Sequence, residues 1–358
     1  MERVRIPLPA CKPALRLLVL SLLLTASGCS EQPVQPASAA APEHRLVWPK
    51  SAAAPRLRFL RSVASASDWG IAKGFLARVI DGLTGKEALH FVRPTGVAER
   101  DGVLYVADPG AQALFVFDVK QNHVLQQRRV GQELLVSPVA VALGPAGTLF
   151  LVDSWHKKVY MLDRNGQLRR EVAHQGLERP AAVAYDADGE RLYVADSKGH
   201  HVLVFAPDGR QMQSLGNLGR ADGQFNSPTH LAVTRDGNLL VTDALNFRVQ
   251  AFDRSGRFLW KIGRVGDGSG DFAAPKGIAA DREGHVLVVD ALFDAVQIFK
   301  PDGTLLLGFG ERGTRAGQFW LPNGIFVDPQ DIVYVADAYN RRIQVFQRIA
   351  DGEPGAAQ

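Results

Sequence analysis

Gly317–Phe346 reads GQFWLPNGIFVDPQDIVYVADAYNRRIQVF, and its parts recur in altered form five times upstream. A proline opens an apolar run at Pro94, Pro138, Pro180, Pro228, Pro275 and Pro322, and an aspartate closes the strand-like run that follows at Asp108, Asp153, Asp196, Asp243, Asp290 and Asp337. Successive aspartates lie 45, 43, 47, 47 and 47 residues apart. A period in this range, holding several short β runs and Gly/Asp turns, suits the four-stranded blade of a propeller. Within the quoted stretch, Gly324–Val327 is a short apolar run and Ile332–Val335 is rich in β-branched and aromatic residues. A turn carrying Asp337 and Asn340 then leads to Ile343–Phe346, where apolar and polar residues alternate. Earlier units add a fourth strand such as Arg257–Ile262, after the turn Asp253–Gly256. Pro207-Asp208-Gly209 and Pro301-Asp302-Gly303 have the residues that tight hairpins demand. Each unit therefore reads as strands A, B, C and D.

The last unit stops after strand C, which would leave an unpaired sheet edge. Arg56–Ser62 has strand character without an A, B or C of its own, so it supplies the missing outer strand and closes the ring. The sequence predicts an all-β fold, a six-bladed β-propeller of four-stranded antiparallel blades over residues 56–347, with 348–358 as a disordered tail. One insertion interrupts the period at 66–92. Ile71, Phe75, Leu76, Val79, Ile80 and Leu83 recur there at helical spacing, with Ser67 or Asp68 placed to cap. A short amphipathic helix is expected, on the same face as the B–C turns, where it would cover the channel mouth.

These motifs resemble the NHL-repeat family, whose pattern runs from GQF and a proline through V-x-D to N-x-R-V-Q-V-F. The matches are Gly223-Gln224-Phe225 with Pro228, Gly317-Gln318-Phe319 with Pro322, Asn246–Phe252 and Asn340–Phe346. Blades one to three depart from it, with Ala111-Gln112-Ala113 and His156-Lys157-Lys158 in place of Asn-x-Arg. The resemblance covers about four-fifths of the chain and implies a propeller whose face binds partners or RNA.

The chain has 358 residues, 46% hydrophobic and 22% charged. Residues 1–28 read as an export signal: Arg3, Arg5, Lys12 and Arg16 form a basic start, and Leu17–Leu24 is apolar but too short to span a membrane. Ala26-Ser27-Gly28-Cys29 resembles the bacterial lipobox, which makes Cys29 the lipidated first residue of the mature chain. Residues 29–55 are Pro- and Ala-rich and read as a tether, and Ser30 resembles the residue that directs lipoproteins to the outer membrane. Only Cys11 and Cys29 exist, so the mature domain has neither a disulfide nor a cysteine-ligated zinc. Removing 1–28 takes away four basic side chains and Glu2, and the net charge falls from +4 to +1. That argues against a nucleic-acid partner, which would call for a large basic excess. The expected location is the periplasmic face of the outer membrane, with the membrane reached through the lipid.

Six aspartates in equivalent positions read as turn formers whose carboxylates accept backbone N–H groups. A channel metal would need ligands converging from strands A. The positions after each proline are Thr95-Gly96, Val139-Ala140, Ala181-Ala182, Thr229-His230, Lys276-Gly277 and Asn323-Gly324. Only His230 and Asn323 are good neutral ligands and Lys276 adds an unfavourable charge, whereas zinc wants about three protein ligands and calcium about six or more. No Ser-His-Asp order, Walker loop or dinucleotide fingerprint stands in a fitting context. No catalytic residue, metal or cofactor is therefore expected. What remains is a monomeric binding or scaffold propeller for a protein, peptide or glycan of the cell envelope. Its candidate face carries Trp155, His156, Lys158, His200, Phe247, Arg248, Phe293, Tyr339, Arg341 and Arg342 from the B–C turns. Trp320 joins them from a D–A segment, with His230 and Asn323 at the channel. Aromatics and arginines are enriched where proteins bind proteins. Phe225, Phe272 and Phe319 are expected between blades. The alternative reading is an envelope lyase or lactonase with a metal-assisted site in the channel, since enzymes of both kinds share this architecture.

Overall fold

A computed structural model describes residues 46–50, 56–72, 89–173 and 176–349. Six antiparallel sheets repeat in chain order, each running from an inner strand A to an outer strand D. The inner strands are Gly96–Arg100, Pro138–Leu143, Pro180–Asp186, Pro228–Val233, Pro275–Ala280 and Ile325–Val327. Strands B and C are buried almost throughout, because each sheet is covered on both faces by its neighbours. Six apolar clusters result, one between each adjacent pair of blades. Phe225, Phe272 and Phe319 are fully buried in three of them, as their recurrence predicts.

Ring closure occurs in blade 6. Leu57–Val63 pairs antiparallel with strand C, Arg342–Arg348, in a register that sets Leu57 against Arg348 and Val63 against Ile343. The sheet then continues further than the period implies. Val47–Trp48 adds a fifth strand outside Leu57–Val63. The Trp48 ring lies 5.9 Å from Phe309 and 5.7 Å from Phe346, which removes a large apolar side chain from water. The end of the stretch read as a tether is thus part of the fold. At the other terminus Arg348 is a buried strand residue and the Ile349 N–H donates to the Arg56 carbonyl, so ordered structure extends into the stretch read as a tail. Residues 1–28, Cys29 and 350–358 lie outside the described residues.

The insertion departs from expectation where it is described, and its centre, 73–88, lies outside the described residues. The Asp68 carboxylate accepts the N–H groups of Ala64 and Ser65, so it closes a turn behind itself rather than capping a helix ahead. Trp69 and Ile71 are buried between blades 6 and 1, with the Trp69 indole donating to the Gly102 carbonyl. Ala72 exchanges hydrogen bonds with Asn122 in a C–D turn. Those contacts lead the chain to the A–B and C–D end, opposite the B–C turns. Burial of two large apolar side chains in the cleft outweighs the shorter route across the top.

Candidate functional site

The face bearing the B–C turns is built on the six aspartates, all fully buried. Asp153 shows the common pattern. Its carboxylate accepts Val136 N–H and Ser137 N–H from the D–A segment, and Trp155 N–H and His156 N–H from the B–C turn. Asp196 and Asp290 repeat it with Glu178, Arg179, Lys198 and Gly199, and with Ala273, Ala274, Leu292 and Phe293. Each carboxylate staples two loops whose amides would otherwise lack partners. Both oxygens of each carboxylate are engaged in that work.

Blades 4 and 6 carry a fuller version. The Arg248 guanidinium donates to Asp243 and to the carbonyls of Arg220, Ala221 and Gln224, and Gln250 bridges Asp243, the Gln224 carbonyl and the Gly223 N–H. Arg342 and Gln344 repeat this around Asp337. Burial pushes the Asp337 carboxyl up, while the Trp320 N–H, Asn340 and Arg342 pull it down. Arg248 and Arg342 therefore hold a D–A loop from within and do not offer their guanidinium groups to a ligand. Their recurrence five places after the stapling aspartates of blades 4 and 6 is the trace this role leaves in the sequence.

Other predicted residues divide in the same way. Lys158 is clamped between Glu133 and Glu171 at 2.7 and 3.0 Å, and its hydrogen bond to Glu133 raises its proton affinity. His156 turns back on Asp153 and His200 accepts the Ser227 N–H, both inside the loop framework. Phe247 and Phe293 are half-buried, and Arg341 is exposed. Trp155 stands free, and Trp320 stacks at an angle on Tyr339 with centroids 5.7 Å apart.

A pattern that the sequence reading missed is set by register. The residue two places after the stapling aspartate is Trp155, Leu245, Leu292 and Tyr339 in blades 2, 4, 5 and 6, with 71%, 56%, 63% and 48% of its surface exposed. The turn geometry aims this position into solvent whatever residue occupies it. The loops beside these turns expose Leu218, Val265 and Trp320. They adjoin the turns directly, since Asn246 donates to the Gly219 carbonyl and Asp294 accepts the Leu321 N–H. Blades 4 to 6 thus share an apolar sector. Aligning the repeats at this offset would have found it.

At the axis the strands A meet. Gly277 donates its N–H to the Asn323 carbonyl of the next blade, and a Cβ on Gly277 would sit 2.5 Å from that oxygen. His230 reaches across to Asn323, with Nε2 3.2 Å from Oδ1. Because Oδ1 can only accept, Nε2 carries the proton and Nδ1 faces the Thr229 hydroxyl at 3.2 Å. Burial, with Lys276 nearby, pulls the His230 pKa down to about 3, so its imidazole is neutral. The unfolded chain therefore binds a proton below about pH 6.5 that the fold refuses, and stability falls on acidification. We expect His230→Gln to reduce this acid sensitivity by about 1 kcal/mol between about pH 6.5 and pH 5.5, measured by urea denaturation at both. An unchanged pH profile would refute the assignment.

Among the described residues, one trio has side chains close enough to share a metal, Asp281, Glu283 and His285. It lies in the A–B turn of blade 5, away from the channel. The Arg348 guanidinium already stands there, 3.2 Å from Asp281 Oδ2 and 3.7 Å from Glu283 Oε2. That cation answers the carboxylates.

Comparison with known proteins agrees with the geometry. Residues 177–205 and 319–346 match the NHL repeat, and 225–296 match a family described as a 6-bladed beta-propeller. NHL repeat-containing protein 2 of Gallus gallus is 32% identical over 131 residues, which make up 28% of this chain and 18% of that protein. The match thus spans less than a fifth of that relative's length. A Bacteroides thetaiotaomicron protein of unknown function superposes with a TM-score of 0.60 at 19% identity, covering 81% of this chain and 76% of its own. Virginiamycin B lyase from Staphylococcus aureus superposes at 0.54 and 12% identity, covering 72% of this chain and 96% of its own. At such identities the likeness is one of fold.

Proposed function

We propose that this six-bladed NHL-repeat propeller is a binding or scaffold module of a bacterial envelope, held at a membrane by a lipid on Cys29. Its ligand is a protein, peptide or glycan, taken by the face that bears the B–C turns and D–A loops. The observation that carries this reading is the register of Trp155, Leu245, Leu292 and Tyr339, four large apolar side chains presented at one equivalent position around a rim. Exposed apolar groups gathered on one face mark interaction sites more often than scattered ones do. The likeness in fold to a lyase brings no chemistry with it. The axial position that a metal would need holds Lys276, and His230 and Asn323 are bonded to each other. The channel chemistry thus disfavours the metal-assisted alternative.

One experiment tests anchor and face together. The protein with its leader is expressed in a bacterial envelope with a photocrosslinking residue at Leu292, or at Lys300 on the opposite side as a control. We expect an acylated, membrane-bound protein that crosslinks one ligand from Leu292 and not from Lys300, with the adduct reduced about fivefold or more by Trp155→Ser plus Tyr339→Ser. Cys29→Ala should release the protein from the membrane. Equal crosslinking from both sides would refute the face, and an acylated Cys29→Ala protein would refute the anchor.

A further inference from the structure

We propose that the cleft between the outer strands of blades 4 and 5 binds an extended segment of a partner protein and seats a tryptophan side chain of that segment. The site uses none of the four rim side chains and stands or falls independently of them. It is a cavity of about 660 Å³, lined by Trp260, Ile262, Gly270, Phe299, Leu305 and the hairpin turn 301–303. Ile262 and Phe299 are buried, whereas Trp260 and Leu305 are only half-buried. A cleft with an aromatic and aliphatic lining suits a bulky apolar side chain.

One blade further round the ring, the chain itself occupies the equivalent position. Ile262 of blade 4 corresponds to Phe309 of blade 5, because they face Val249 and Val296, each six places after its stapling aspartate. Phe299 and Phe346 correspond in the same way, nine places after theirs. Gly270 and Gly317 donate their N–H groups to the equivalent Gln297 and Gln344. Phe309, Phe346 and Gly317 are the residues that hold Trp48. Its ring lies 5.9 and 5.7 Å from the two phenylalanines, and a Cβ on Gly317 would sit 2.6 Å from its Cη2. A Cβ on Gly270 would meet Phe299 alone, at 3.9 Å. Leu307 and Phe59, the counterparts of Trp260 and Leu305, are buried in one cluster with Trp48. What the blade 4–5 cleft lacks is the tryptophan.

Trp48 arrives on a strand. Val47–Trp48 pairs outside Leu57–Val63, and the Leu46 carbonyl accepts the Phe59 N–H at 2.9 Å. Leu305, the counterpart of Phe59, begins Leu305–Phe309, the outermost strand of its sheet among the described residues. Such an edge can take a further strand through main-chain hydrogen bonds, while an adjoining pocket selects a side chain. The charges beside the cleft are already paired, Lys261 with Asp222 and Arg264 with Asp271, so selection rests on shape and apolar area. Two other clefts are bridged at this position by polar side chains. Gln213 donates to the Ser255 carbonyl between blades 3 and 4, and Gln127 to the Gly166 carbonyl between blades 1 and 2. Blade 4 carries Trp260 and Ile262 in those two places, and its cleft is apolar instead.

The test is fluorescence anisotropy of a labelled peptide, Arg-Leu-Val-Trp-Pro-Lys, titrated with the purified protein. The peptide copies residues 45–50, whose tryptophan already fits the equivalent cleft. We expect saturable one-site binding, weakened about tenfold or more when the peptide's tryptophan is replaced by alanine. Leu305→Glu should weaken it by about as much, and so should Ser269→Trp, an exposed change that fills the cleft without touching the core. Met212→Ser, an exposed change on the outer strand of blade 3, should leave affinity unaltered. Absence of saturable binding, or affinity that survives both Leu305→Glu and Ser269→Trp, overturns the proposal. Dimerisation of the protein that Ser269→Trp abolishes would also overturn it, by placing a second copy in the cleft. Loss of crosslinking at the rim with peptide binding intact would leave this site standing and remove only the rim reading.

Discussion

Asp243→Ala is expected to destabilise the protein by about 3–5 kcal/mol, a large share of what a domain of this kind has to lose. The carboxylate is fully buried and accepts from Asn226 N–H at 2.6 Å, Asn246 Nδ2 at 2.8 Å, Arg248 Nε at 2.8 Å and Gln250 Nε2 at 3.2 Å. Its removal leaves the buried Arg248 guanidinium facing three carbonyls, with only the half-exposed Asp222 carboxylate, 3.9 Å from Nη1, as countercharge. The penalty is that of an unpaired buried charge, and it exceeds the net worth of the pair. A double mutant separates the two: Asp243→Ala with Arg248→Met should be more stable than Asp243→Ala alone, because the orphaned charge is gone. Urea denaturation followed by tryptophan fluorescence reads both. A single-mutant loss below about 1 kcal/mol would mean that water replaces the carboxylate and that the staple is dispensable.

Arg348→Met should cost about 3 kcal/mol or more and act on ring closure. The Arg348 side chain is almost wholly enclosed, donates to Asp281 at 3.2 Å and to the Arg56 carbonyl at 3.0 Å, and so joins blade 5 to the closing strand. Without it, Asp281 keeps only His285 and the N–H groups of its own turn. The expected signature is a lower urea midpoint together with faster proteolysis after Leu57–Val63, since that strand loses an anchor. Unchanged proteolysis with a lowered midpoint would place the damage in blade 5 instead. Adding Asp281→Asn to Arg348→Met should recover part of the loss.

The period of the aspartates, the proline starts and the missing fourth strand were enough to state six blades and the closing segment. Those features repeat at a fixed interval or, like an unpaired edge, follow from a strand missing at its place, so they survive in a linear reading. The roles of Arg248 and Arg342 did not. Each guanidinium pairs with carbonyls 24 to 28 residues upstream, and an arginine beside an aromatic reads equally well as a contact residue until that loop is seen. The burial of Trp48 and Ile71 was hidden for a related reason. They stand outside the repeat, and what buries them is the cleft that neighbouring blades create.

Local chemistry, then, wrote the blade: alternation makes the strands, Gly and Asp make the turns, and the aspartate at the end of strand B staples them. That much follows from residues close in sequence, because hydrogen-bonding turns and strand pairing within one sheet are short-range. Which groups meet at the axis is different. His230, Lys276 and Asn323 come from three separate blades, and their shared neighbourhood exists only because blade 6 pairs with Leu57–Val63 and the ring closes. The same closure turns four unrelated side chains, Trp155, Leu245, Leu292 and Tyr339, into one rim. Convergence on an axis is a property of a closed ring, and no window along the chain contains it.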